Sequence, residues 1–142
     1  MVDLTKKIAA EKENVEISLD NLKDALRRKK RSAVELAAMA TFLHNTYTGI
    51  ENILKQDLKA KGCKIPKSET WHKDLLNLAV SAGIIPNKLA EKLYEYLAFR
   101  HFFLHAYGFM LKENQVRDLA NNIPNVWSEF ISAIEKHSLS VK

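Results

Sequence analysis

Apolar residues recur at three- and four-residue intervals along nearly the whole chain, and little in the sequence breaks that rhythm. Four glycines and three prolines are few for 142 residues, and β-branched clusters are scarce. The pattern predicts an all-α fold. Leu4, Ile8, Val15, Leu19, Leu22 and Leu26 predict a long first helix over about residues 3–30. Ser32-Ala33-Val34-Glu35 is a capping box, with serine at the N-cap and glutamate three residues on. It opens a second long helix whose stripe includes Phe42, Leu43, Tyr47, Ile50, Leu54 and Leu58. Gly62 and Pro66 then mark a loop. A third, shorter helix runs from Trp71 to about Ala82, stopped by Gly83, and Pro86 starts the fourth. The fourth extends over about residues 87–112, and a fifth runs from the polar turn Lys112-Glu113-Asn114 to about His137. Pro124 is expected to kink or split the fifth, because proline lacks the interior N–H. The predicted architecture is a five-helix up-and-down bundle, its two long helices first, in one domain over residues 1–142.

Composition adds less. A hydrophobic share of 46% and a charged share of 27% are normal for a soluble globular protein. Cys63 is the one cysteine, which rules out an intrachain disulfide and suits a reducing compartment. The N-terminus has no signal-like apolar run, and no stretch is long enough to span a bilayer. A cytoplasmic protein is expected. The net charge of +5 and pI near 9.3 allow a polyanionic partner, although such a charge also serves solubility. The densest cationic run is Arg27-Arg28-Lys29-Lys30-Arg31. It reads first as a solvated helix C-terminus, where cations favour the dipole, and second as an RNA-backbone contact.

The chemically unusual stretch is Arg100-His101-Phe102-Phe103-Leu104-His105-Ala106-Tyr107. It sets a phosphate-gripping cation, proton-transfer side chains and a hydroxyl-bearing aromatic inside an otherwise apolar helix, where polar groups are costly. At helical periodicity Leu89, Leu93, Tyr96, Arg100, Phe103, Leu104, Tyr107 and Leu111 share one face, while Tyr94, Ala98, His101 and His105 line roughly the opposite one. A helix that is apolar all round asks to be covered all round, and a second copy of the chain is a natural cover. Arg100 and His105 stand about 140° apart on an ideal helix. Three arrangements reconcile them: a long reach by arginine, groups drawn from two chains, or a local irregularity. Chance produces about 0.2 R-x4-H pairs in a chain of this composition, and about 0.005 with a tyrosine two places further on.

This R-x4-H-x-Y pattern resembles the signature of HepT-like ribonuclease toxins in the HEPN superfamily. Tyr47-Thr48-Gly49-Ile50-Glu51 and Trp71-His72-Lys73-Asp74-Leu75-Leu76 also look like that group. His101 stands where asparagine or aspartate is more usual. The resemblance implies a metal-independent endoribonuclease that cuts RNA through attack of its own 2′-hydroxyl, leaving a 2′,3′-cyclic phosphate. Arg100 would grip the scissile phosphate, His105 would move protons, and His101 would assist or orient. It further implies that a partner antitoxin with a minimal nucleotidyltransferase fold attaches AMP to Tyr107, while the homodimer is expected from the apolar helix alone. The competing expectation is a non-catalytic HEPN subunit that binds nucleotide or delivers substrate to a nucleotidyltransferase. His44, His72 and His137 read as surface or core histidines, and Trp71 and Trp127 as core. His101 and His105 have i, i+4 spacing, but their face has no Asp, Glu or Cys to complete a metal site. No metal or other cofactor is expected.

Overall fold

The periodicity resolves into helices at nearly the expected places. A computed structural model describes residues 2–28, 31–105 and 112–140. In it α1 spans Val2–Leu26, α2 Ala33–Ala60, α3 Trp71–Ser81, α4 Asn87–Leu104 and α5 Glu113–Ser140, with no strand among the described residues. The Ser32 hydroxyl accepts the Glu35 N–H and the Glu35 carboxylate accepts the Ser32 N–H, each at 3.1 Å. That backbone hydrogen bond is the main reason the Glu35 carboxyl lies below its usual range. Helices α2 and α3 stop the same way. Gly62 and Gly83 take φ of +78° and +76°, a region that penalises any Cβ. Cys63 N–H then reaches back to Leu58 and Ile84 N–H to Ala79, the long bonds of a Schellman stop.

Cross-helix contacts give the topology. Asn52 donates to Glu11 at 3.3 Å while Gly49 abuts Val15, so α1 and α2 run antiparallel. Arg31 pairs with Glu113 at one end and Asp57 with His137 at the other, so α5 lies parallel to α2. Lys92 pairs with Glu129 and the Tyr96 hydroxyl donates to the Leu119 carbonyl, which sets α4 antiparallel to α5. α2 is the spine, packed against all four other helices. Its Met39, Leu43, Ile50, Ile53, Leu54 and Leu58 are completely buried. Each such side chain contributes about 1.5–3 kcal/mol through removal from water, and this spine holds the bundle.

Three boundaries differ from expectation. α1 ends at Leu26 because Arg31 folds back on it, donating from Nε to the Ala25 carbonyl and from Nη2 to that of Leu26. α4 ends at Leu104, and the continuation expected over 106–111 lies outside the described residues. His101, Phe102, Leu104 and His105 are exposed, so the last turn gains little from burial, which is where most helical stability originates. α5 is not split at Pro124. That proline faces solvent, while Ala120, Ile123, Trp127 and Phe130 bury the opposite stripe on both sides of it. Packing on each flank outweighs the single lost hydrogen bond, which costs about 3 kcal/mol at an interior position.

Candidate functional site

Arg100 turns inward, toward α2 and α3. Its Nη1 lies 3.3 Å from His72 Nε2, and His72 Nδ1 lies 2.8 Å from Glu51 Oε2. Glu51 is 2% exposed. Proton placement follows from the chemistry of the partners. Guanidinium has no lone pair to offer, so His72 Nε2 must accept, and Nδ1–H donates to the carboxylate. The chain is therefore carboxylate, neutral imidazole, guanidinium. Neither buried charge stands alone, which would be costly.

Each member is placed by local structure. Glu51 belongs to a stripe, His44, Tyr47, Thr48 and Glu51, at i, i+3, i+4 and i+7 on α2. Gly49 lies on the other side of that helix, against α1. His72 sits in the first turn of α3, which Ser68 and Thr70 secure by donating their hydroxyls to Asp74 at 2.6 and 3.1 Å. Beside it the Trp71 ring carries the Lys55 ammonium 4.1 Å from its centroid, pinning α3 to α2.

Burial tunes the neighbours. His44 has its ring 5.9 Å from that of Phe103. Its pKa is lowered, first by burial and further by the positive charge of Arg100, against an opposing hydrogen bond that the ring donates to Asn45. Burial pushes the Tyr47 hydroxyl far above its ordinary range, and the adjacent Glu51 carboxylate adds to the effect. His44 Nε2, Thr48 Oγ1 and Arg100 Nε are buried without a hydrogen-bond partner among the described residues. The Tyr47 hydroxyl is a fourth such atom. Buried polar atoms are normally satisfied, so four orphans on Arg100 and the stripe facing it mark this as more than a packed core.

The motif histidines lie elsewhere. His101 and His105 are exposed, with ring centroids 4.3 Å apart, and the His105 N–H closes on the His101 carbonyl at 3.2 Å. α4 is regular through Leu104, so one chain sends Arg100 inward and presents the two histidines outward. Phe102 and Leu104 beside them are 36% and 49% exposed. Of the apolar side chains described on this last turn, Phe102 and Leu104 thus reach the surface of a single chain. Tyr107, Lys29 and Lys30 lie outside the described residues. Of the remaining basic run, Arg27 is exposed and Arg28 pairs with Glu35 at 3.2 Å. Arg31 is engaged internally, its side chain 8% exposed and 2.7 Å from Glu113.

A model of the HepT-like protein family matches residues 38–141. The chain belongs to the HepT-like family. The match bears out the resemblance drawn from residues 100–107 and makes the chain a HEPN toxin-like protein. It runs from within α2 through α5 and leaves α1 outside. No curated protein and no solved structure matches the chain.

Sequence reasoning passed over Glu51, His72 and His44 as site residues. The signal for Glu51 was its place on the buried spine, where an unpaired carboxylate has no business. His72 carried none, because its pairing with residues 51 and 100 exists only after α3 docks. Among the described residues no cluster of three metal-binding side chains occurs, and no helix is long and apolar enough to cross a membrane.

Proposed function

We propose that this HepT-like protein is the toxin of a toxin–antitoxin pair, a metal-independent endoribonuclease acting in the cytoplasm as a homodimer. The observation that carries the reading is Arg100, a guanidinium held by His72 at 3.3 Å with its Nε buried and unpartnered. An arginine so under-used by its own chain suits a phosphate. In the reaction the RNA 2′-hydroxyl attacks the adjacent phosphorus, the 5′-oxygen leaves, and a cyclic phosphate and a free 5′-hydroxyl remain. Arg100 stabilises the charge that builds on the phosphorane oxygens. Exposed His105 takes or supplies the proton, and His101, its ring neighbour, assists or orients it. Arg100 and His105 point apart in one chain, so the reading draws them from two copies. Exposed Phe102 and Leu104 supply apolar surface for that contact. A cognate nucleotidyltransferase antitoxin attaches AMP to Tyr107, and the added bulk and negative charge exclude RNA phosphate.

The test is cleavage of a defined RNA in excess EDTA by wild type, Arg100→Ala and His105→Ala, with product ends analysed. Cutting by wild type alone, with cyclic-phosphate ends, is expected. Equal cutting by His105→Ala would reveal a contaminant and remove the assigned site. The inward turn of Arg100, away from His105, favours one other reading, a non-catalytic subunit that binds nucleotide or brings substrate to a nucleotidyltransferase. Well-folded, unmodified wild type inactive on tRNA, mRNA and rRNA would make that reading the correct one.

A further inference from the structure

Glu51 and His72 have no part in the chemistry just described, yet they make the one side-chain hydrogen-bonded link to Arg100 found among the described residues. We propose that they are positioning residues, an acceptor of controlled strength that fixes Arg100 in space while leaving its charge and most of its donors for RNA phosphate. The inference rests on the ribonuclease reading and names how the site is held ready.

The reasoning starts from what a direct partner would do. A carboxylate set against guanidinium forms a two-pronged pair that uses two N–H groups and largely cancels the charge. Such an arginine would be well ordered and useless for phosphate. An arginine with no partner keeps all five donors but must freeze a long, flexible side chain when substrate arrives. The observed chain avoids both faults. A neutral imidazole accepts one N–H, at 3.3 Å, and carries no charge to cancel. The anion is present but one ring further off, where Glu51 holds His72 Nδ1 at 2.8 Å. Glu51 therefore favours the tautomer with the proton on Nδ1, which leaves the Nε2 lone pair for Arg100. The two helices that supply the pair are themselves anchored, α2 as the buried spine and α3 through Asp74 and Trp71.

The neighbours fit that role. His44, whose pKa is lowered, adds no competing charge near Arg100. The Tyr47 hydroxyl, pushed strongly upward, stays protonated beside Glu51. Buried Arg100 Nε retains an unused N–H, and among the described residues no carboxylate hydrogen-bonds the guanidinium directly.

The experiment uses full-length protein in wild-type, His72→Ala, His72→Gln and Glu51→Gln forms. Heteronuclear NMR of arginine-labelled protein reads rotation about the Arg100 guanidinium, and steady-state RNA cleavage gives kcat and KM separately. In wild type the terminal nitrogens of Arg100 should give distinct, slowly exchanging signals. In His72→Ala they should coalesce, with kcat falling by about 10–100-fold, the loss expected for a misplaced group, and KM changing less. His72→Gln places an amide oxygen near the former Nε2 and should recover both properties in part. Coalesced Arg100 signals already in wild type, or no difference between His72→Ala and His72→Gln in either readout, would overturn the proposal. Inactive wild type refutes the ribonuclease reading alone, and the Arg100 line shapes still decide the positioning of Arg100. Glu51 is buried, and should Glu51→Gln fail to fold, the two His72 variants carry the test.

Discussion

Gly49→Ala probes the closest approach in the bundle. A Cβ built at Gly49 would stand 2.2 Å from Val15 Cγ2, whereas its next neighbours, Val15 Cβ at 3.7 Å and Glu11 Oε2 at 3.9 Å, are at ordinary contact. Carbon atoms settle at about 3.5–4.0 Å, so α1 must retreat by more than about 1 Å or Val15 must change rotamer. Val15 is 1% exposed, and room for either is scarce. Overpacking of this kind costs about 1–3 kcal/mol. Alanine returns up to about 1 kcal/mol of helix propensity over glycine. A net loss of about 1–2 kcal/mol is expected in urea unfolding at 25 °C. Val15→Ala alone should cost about 2 kcal/mol through lost burial. Combined, the two should interact favourably by about 1–3 kcal/mol, because trimming Val15 removes the one clashing atom. RNA cleavage should not change, since Gly49 faces α1 while Tyr47, Thr48 and Glu51 face the site. A coupling energy below about 0.5 kcal/mol would show that the helices have slack, and would refute the clash as the reason for glycine.

Other consequences are equally open to measurement. Arg31→Ala should lower stability by about 1–3 kcal/mol, since it frees two carbonyls of α1 and the Glu113 carboxylate. The same change should leave the salt dependence of RNA binding unaltered, and a reduced slope would return Arg31 to the RNA surface. His44 has a folded pKa below its unfolded value, so the unfolded chain binds more protons as pH falls through 6.5. Stability should accordingly drop from about pH 7 to about pH 5, and His44→Asn should flatten part of that slope. An unchanged slope would mean that His44 charges freely in the folded protein. Asp57 is the opposite case. Burial raises its pKa against the pull of Lys61, so its contribution favours the fold at low pH and is lost as pH rises through the folded pKa. Asp57→Asn should raise the urea midpoint near neutrality, with the gain vanishing below the carboxylate range, and a lower midpoint would show that pairing with His137 outweighs burial.

Much of the fold was legible because helix stops and starts are local. Ser32 with Glu35, Gly62 and Gly83 needed only a few neighbours to act, and each behaves as its sequence implies. Pro124 does not split the fifth helix because its local penalty is set against a distant gain, burial of Ile123 and Phe130 in a core the fifth helix shares with the second. The site was half legible for the same reason. Arg100 stood out as a cation on an apolar stripe, but nothing in the sequence pointed to the side chain that holds it. The partner present is His72, 28 positions earlier, brought near by the α3–α4 turn. Spacing within one helix reports angles around that helix and is blind to what a neighbouring helix delivers.

The parallel course of α5 beside α2 carries a consequence for assembly kinetics. The links that fasten it, Arg31 to Glu113 and Asp57 to His137, close loops of 82 and 80 residues. The groups around Arg100 lie far closer together along the chain, and α1 meets α2 across a short connection. Loop entropy therefore favours early formation of the α1–α2 hairpin and late docking of α5. Until α5 docks, the apolar seam that receives Val116, Ile123 and Phe130 stands open, and α2 has no rigid backing on that side. During synthesis α5 is made after every described residue of the Arg100 site. The Arg100 site would thus become firmly backed only once the ribosome has passed the fifth helix.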